Sequence, residues 1–167
     1  MLAYAIVVFV VLQRLLELFY AERNTKALLV RGGMEIGRAH YPLIVLVHAA
    51  WLAAIAISLP SEPVVNFMWL GLFVVLQILR VWVLVTLGPY WTTRIITLDN
   101  APLIRTGPYR FLRHPNYCVV AGEIFVLPMV FGQWQLAVIF SILNAIILAV
   151  RIRSENRALA TRRGLAV

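Results

Sequence analysis

The sequence predicts an all-α integral membrane protein with about five transmembrane helices, and three observations carry that prediction. Of its 167 residues, 62% are hydrophobic and only 13% charged, well outside the composition of a soluble domain. Apolar stretches approaching the roughly 20 residues that cross a hydrocarbon core of about 30 Å take up most of the chain. They leave room for one unit over residues 1–167 and for no separate soluble domain. The basic residues, which give a net charge of +8, fall between those stretches, so they read as orientation signals for a membrane and not as a nucleic-acid surface.

The first span, residues 2–20, opens without the basic leader or cleavage site of a secretory signal, so a retained helix is expected. It should end where Glu22, Arg23 and Asn24 bring in polar groups. A basic loop with Arg23, Lys26, Arg31 and Arg38 leads to the second span, residues 42–59, where Pro42 suits the first helical turn. The turn around Ser58, Pro60 and Pro63 carries no lysine or arginine. A third span, residues 64–87, is interrupted by Arg80 and runs into a long polar connection, residues 88–114. Arg94, Arg105, Arg110 and Arg113 lie in that connection, punctuated by Gly88-Pro89, Asp99-Asn100 and Gly107-Pro108. Residues 115–131 and 134–150 form the last two spans about a Gly132-Gln133 turn, each short for a crossing, with a single tight hairpin as the alternative. Residues 151–167 are expected as a short separate helix. Placing the basic loops in the cytoplasm gives an extracytoplasmic N-terminus, a long cytoplasmic loop between the third and fourth helices, and a cytoplasmic C-terminus.

Few residues in this setting can carry chemistry. Cys118 is the single cysteine, so neither an intramolecular disulfide nor a thiolate metal site is expected, and it reads as a small core residue. Gly32, Gly33 and Gly37 lack the preceding strand and the spacing of a dinucleotide-binding loop. Ionisable groups inside a span are costly and face a polar cavity or a partner. Arg14 and Glu17, three apart, read as a local ion pair snorkelling to the interface. Arg80 lies about 10 Å inside its span by the helical rise. Its planar fork suits an anionic substrate group, or a structural pair with Glu123 or Glu155. Glu123 itself either holds helices together or faces the substrate.

The segment Arg113-His114-Pro115-Asn116-Tyr117 puts His114 at the N-cap of the fourth span, because a residue before proline avoids the α region. The free N–H groups of that helix end attract anions, and Tyr109 and Tyr117 add an aromatic wall. Arg151 and Glu155 lie four apart on one stripe with Asn144. Arg153, Arg157, Arg162 and Arg163 read as lipid-headgroup contacts.

Taken in order, Gly107-Pro108-Tyr109-Arg110, Arg113-His114-Pro115-Asn116-Tyr117, a helical hairpin, and the Arg151 to Glu155 segment resemble the isoprenylcysteine carboxyl methyltransferase family. Arg80, Leu87-Gly88 and Trp91-Thr92 extend the resemblance, which covers about residues 80–159. It implies S-adenosylmethionine as cofactor, bound by Tyr109, His114, Tyr117 and Glu155. It also implies Arg80 and Glu155 at the substrate end, where they are the catalytic candidates; Arg151 and Glu123 join Arg80 as substrate-binding candidates, and no metal is expected. Asn156 stands where the family commonly has a second glutamate. Glu35-Ile36-Gly37, His40-Tyr41-Pro42 and His48 look like a compact bacterial branch, similar to enzymes that methylate lipophilic polyketides such as alkylpyrones and alkylresorcinols.

The resemblance therefore implies an O-methyltransferase of a bacterial cytoplasmic membrane, with membrane lipids around it and a lipophilic small molecule as acceptor. Methyl transfer is an in-line displacement that needs alignment and exclusion of water. A prenylcysteine-type carboxylate is already ionised and needs no base. A polyketide hydroxyl needs one, and Glu155, His114 and Glu123 are the candidates. The rival expectations are an NADPH-dependent reductase of the related sterol-reductase architecture and a non-enzymatic membrane scaffold or transporter.

Overall fold

The computed structural model describes residues 1–98, 101 and 104–164, without the side chains of His40 and residues 158–164. The expected Asp99-Asn100 turn lies outside the described residues, as do the side chains of Arg162 and Arg163. The chain is mostly helical: α1 (Leu2–Val30), α2 (Tyr41–Ile57), α3 (Phe67–Leu87), α4 (Pro115–Val130) and α5 (Trp134–Gly164). Among the described residues α1, α3 and α5 are long and apolar enough to cross a membrane, whereas α2 and α4 are apolar but shorter, at 17 and 16 residues.

Three features correct the sequence expectation. The polar residues after position 20 do not end α1, which continues to Val30 because no helix breaker intervenes and Asn24 finds partners of its own. Its side-chain amide donates to the carbonyls of Gly88 and Trp91 at 3.1 and 2.9 Å, which fastens α1 to the far end of α3. The chain does not break at position 150 either. From Arg151 to Arg163 it holds no proline or glycine, so α5 runs through as one helix of 31 residues. The fold is also not purely helical: Met34–Ile36 (β1) pairs antiparallel with Ile95–Thr97 (β2), Glu35 lying opposite Ile96. Cys118 is a further correction, since it is exposed and not in the core.

Local signals explain the remaining boundaries. Asn66 caps α3, its side chain accepting from the backbone N–H groups of Met68 and Trp69 at 3.1 and 3.3 Å. His114 occupies the N-cap of α4 with Pro115 in the first turn. Gly122 brings α4 close to α3, because a Cβ there would sit 3.0 Å from a Leu76 methyl. Close approach through a small residue is how helices gain packing energy when lipid replaces water.

The molecule is layered along the helix axes. At one end Val7, Val10, Trp51, Ile55, Phe73, Leu127 and Val130 form an apolar core. A polar layer of Gln13, Arg14, Glu17, Gln77, Arg80 and Glu123 follows. At the other end Ala21, Val83 and Trp91 make a smaller core under the β1–β2 ribbon. Many large apolar side chains point outward, among them Phe9, Leu16, Val85 and Ile146, as expected of surfaces that face lipid.

Candidate functional site

Of the predicted site residues, Tyr109, His114, Tyr117, Arg151 and Glu155 come together around the start of α4, and Arg80 and Glu123 do not. Gly107 starts the approach: its φ is +54°, and a Cβ would meet the Thr86 hydroxyl at 2.5 Å and the Trp82 indole nitrogen at 3.2 Å. Only glycine lets the connection lie on the end of α3 in this way, and Tyr109 follows in the same short 3-10 turn. Burial, and then the neighbouring Glu155 and Tyr117, push the Tyr109 phenol above its usual range, which keeps it a neutral donor.

Around this turn lies a cavity of about 170 Å³ whose walls include Trp91, Arg94, Tyr109, His114, Asn116, Tyr117, Arg151 and Glu155. The His114 and Tyr117 rings stack at 5.4 Å. His114 Nδ1 lies 3.7 Å from Glu155 Oε1, and the Tyr117 hydroxyl donates to Glu155 Oε2 in a short hydrogen bond. Arg151 is buried and donates through Nε to the Tyr117 hydroxyl at 3.3 Å and through Nη2 to the Thr93 carbonyl at 2.9 Å. Trp91 Nε1, Arg94 Nε, His114 Nε2 and Asn116 Oδ1 are buried on this wall without a hydrogen-bond partner among the described residues. Unpaired buried polar atoms are costly, so their convergence fits a polar ligand carrying both donors and acceptors. Tyr109, His114, Tyr117 and Glu155, expected at S-adenosylmethionine, all line this cavity.

A second cavity, about 460 Å³ and largely apolar, lies beside the first, between α1, α2 and the ends of α4 and α5. Val11, Leu15, Ile44, Leu52 and Ala53 line it, with Arg14, Glu17, His48 and Arg80 as its polar patch. Trp91, Thr92, Asn116, Tyr117 and Arg151 belong to both cavities and form the wall between them.

Arg80 does not pair with Glu155. Its Nη1 donates to Glu123 at 2.8 Å, while its Nε and Nη2 both hold Glu17. Arg14 bridges the same carboxylates at 2.9 Å each, and Gln77 donates to Glu123 at 2.8 Å. Two cations and two anions thus balance within a buried cluster. Arg14 and Glu17 form the expected local pair, yet they turn inward and do not snorkel. Glu123 lines neither cavity, whereas Arg80 lines the apolar one and Arg151 lines both. Asn144 is buried on α5, as its stripe suggested.

Sequence reasoning missed Glu17, Gln13 and Gln77 as parts of one cluster, because the bonds that tie Gln13 and Glu17 to Gln77 and Arg80, and Gln77 to Glu123, span more than forty positions along the chain. Thr93 was also missed. It joins Tyr41 (hydroxyl to hydroxyl, 3.0 Å) to Arg151, and no local pattern marks it. Among the described residues no group of acidic, histidine or cysteine side chains is placed to hold a metal.

The sequence pattern of the isoprenylcysteine carboxyl methyltransferase (ICMT) family matches residues 69–161. The uncharacterised protein YpbQ of Bacillus subtilis (strain 168) is 37% identical over 158 residues, 92% of this chain and 94% of its own. An uncharacterised protein of Haemophilus influenzae is 24% identical over 152 residues, 88% of each chain. No solved structure matches the chain.

Proposed function

The chain belongs to the isoprenylcysteine carboxyl methyltransferase family, and we propose that it is an S-adenosylmethionine-dependent O-methyltransferase acting within the membrane on a lipophilic acceptor. The observation that carries the proposal is the pairing of a small cavity of mixed polarity with a larger, largely apolar one across a shared wall. A polar donor and a greasy acceptor need such a pair, because their reacting atoms must meet while the rest of each stays in its own environment.

When bound, S-adenosylmethionine supplies an electrophilic methyl on a sulfonium. Tyr109, His114, Tyr117 and Glu155 hold that ligand, with the unpaired atoms of Trp91, Asn116 and His114 as its hydrogen-bond partners. Arg151, on the shared wall, orients the acceptor's polar group. Arg80 acts at the acceptor cavity through the carboxylates it fixes, and Glu123 keeps Arg80 and Arg14 in place. The acceptor is a prenylcysteine-type carboxylate or a polyketide hydroxyl.

All five helices cross the cytoplasmic membrane of a bacterium in this proposal, with the N-terminus outside and the basic connections inside. Cysteines introduced near Ser61 and Gly132 should be labelled from outside, and one near Arg31 only after permeabilisation. The opposite pattern inverts the orientation.

The donor is tested by melting detergent-solubilised protein. S-adenosylhomocysteine should raise the melting temperature by mass action, since it binds only the folded state, and NADPH should not. Stabilisation by NADPH alone would overturn the methyltransferase.

A further inference from the structure

Glu155 faces the donor cavity but not the apolar one, so a proton leaving an acceptor has no direct route to this carboxylate. Tyr117 supplies the route. It lies on the wall of both cavities and its hydroxyl donates to Glu155 Oε2. The Tyr117 oxygen also accepts from Arg151 Nε, at a long 3.3 Å, a contact that an incoming hydroxyl can displace as donor to the same oxygen. Behind Glu155 stands His114 Nδ1 at 3.7 Å.

We propose that Tyr117 is a catalytic proton relay and that the methylated group is a hydroxyl. The proposal rests on the methyltransferase reading. As the acceptor oxygen forms its new bond to the methyl carbon, the carbon–sulfur bond breaks with its electron pair left on sulfur. The acceptor proton passes to the Tyr117 oxygen while the Tyr117 proton passes to Glu155, so the phenol ends neutral as it began, and Arg151 holds the Tyr117 side chain in place through its contact with the ring. A carboxylate acceptor, ionised near neutral pH, would give this relay no proton to move.

Two other groups in the apolar cavity compete for the role. Glu17 is committed to Gln13, Arg14 and Arg80. His48 gives Nδ1 to the Ile44 carbonyl at 2.8 Å and has a second ring nitrogen. Neither belongs to the wall shared by the cavities, where the methyl group must cross.

The test compares the wild type, Tyr117→Phe and His48→Gln on long-chain alkylphenols, from nitrated ones to an unsubstituted ring with a pKa of about 10. Donor binding is read separately, as the melting shift given by S-adenosylhomocysteine. Tyr117→Phe should lower turnover of the unsubstituted phenol by about a hundredfold or more. The loss should shrink as the acceptor becomes more acidic, and turnover, measured with donor saturating each variant, should climb with pH as the acceptor ionises. An equal loss across the series, or an alkyl carboxylate that outpaces every phenol, would overturn the relay. The same acidity dependence in His48→Gln would overturn it too. If the wild type neither transfers methyl groups nor responds to S-adenosylhomocysteine, the underlying methyltransferase reading fails instead.

Discussion

The two cavities differ in how the chain builds them. Every residue lining the donor cavity lies between Leu87 and Glu155, whereas the apolar cavity draws most of its wall from α1 and α2, from Val11 to Ala56. The family pattern, at residues 69–161, spans the whole donor wall and stops short of those two helices. One cavity is thus built from short ordered motifs around helix ends, and the other from helix faces whose residues are individually ordinary. The difference teaches where each kind of information sits. A polar ligand demands particular atoms at particular places, and an apolar one demands only volume and smooth walls.

The hardest way to break this arrangement is at the seam between the halves, where Arg14 and Glu17 of α1 meet Arg80 and Glu123. Glu17→Ala leaves two buried guanidinium groups short of a partner, and losing one member of a buried pair costs about 3–5 kcal/mol. A large drop in melting temperature without any ligand is expected, with both cavities lost together. Arg80→Lys keeps the charge but not the planar fork. It should bind S-adenosylhomocysteine almost normally and turn over poorly.

The donor side alone should respond to His114→Ala. Hydrogen bonds to charged partners are worth about 1.5–3 kcal/mol, so S-adenosylhomocysteine affinity should fall roughly ten- to a hundredfold. The acceptor KM should hold. The acceptor side alone should respond to Ala53→Trp, which fills the apolar cavity from α2. Overpacking of about 1–3 kcal/mol should raise the KM for a long-chain acceptor roughly tenfold and leave donor affinity intact. If either variant shifts both constants equally, the division between the cavities is wrong.

The smallest effect belongs to the ribbon that roofs the donor end. Arg94 pairs with Glu35 at 3.2 Å and lies over the Tyr41 ring at 4.7 Å, but its side chain is 26% exposed. Glu35→Gln should cost no more than about 1 kcal/mol, measurable as a melting shift of a few degrees at most.

The same contrast explains what the sequence made legible. Apolar length and basic punctuation located the apolar parts of α1 to α5, and Pro115 after His114 located the start of α4. That Tyr109, His114, Tyr117 and Glu155 would lie near one another was readable from the ordered motifs that carry the family resemblance, and the four line one cavity. The inward turn of Arg14 and Glu17 was not, since a pair three apart looks the same whether it faces lipid headgroups or Arg80. Nor was the β1–β2 ribbon, whose strands of three residues lie far apart along the chain and carry no alternating pattern. The unbroken α5 was missed because a change from apolar to basic composition marks where a helix leaves the membrane, not where it ends.

The most direct test of the whole account is transfer itself. Purified protein is incubated with methyl-labelled S-adenosylmethionine and a bacterial lipid extract, and the products are separated into organic and aqueous phases for mass spectrometry. The account predicts label in an organic-soluble product with one added methyl on oxygen, reduced in His114→Ala at limiting donor and reduced in Ala53→Trp. Label confined to the aqueous phase, or no label in the presence of saturating donor and the full extract, would contradict it.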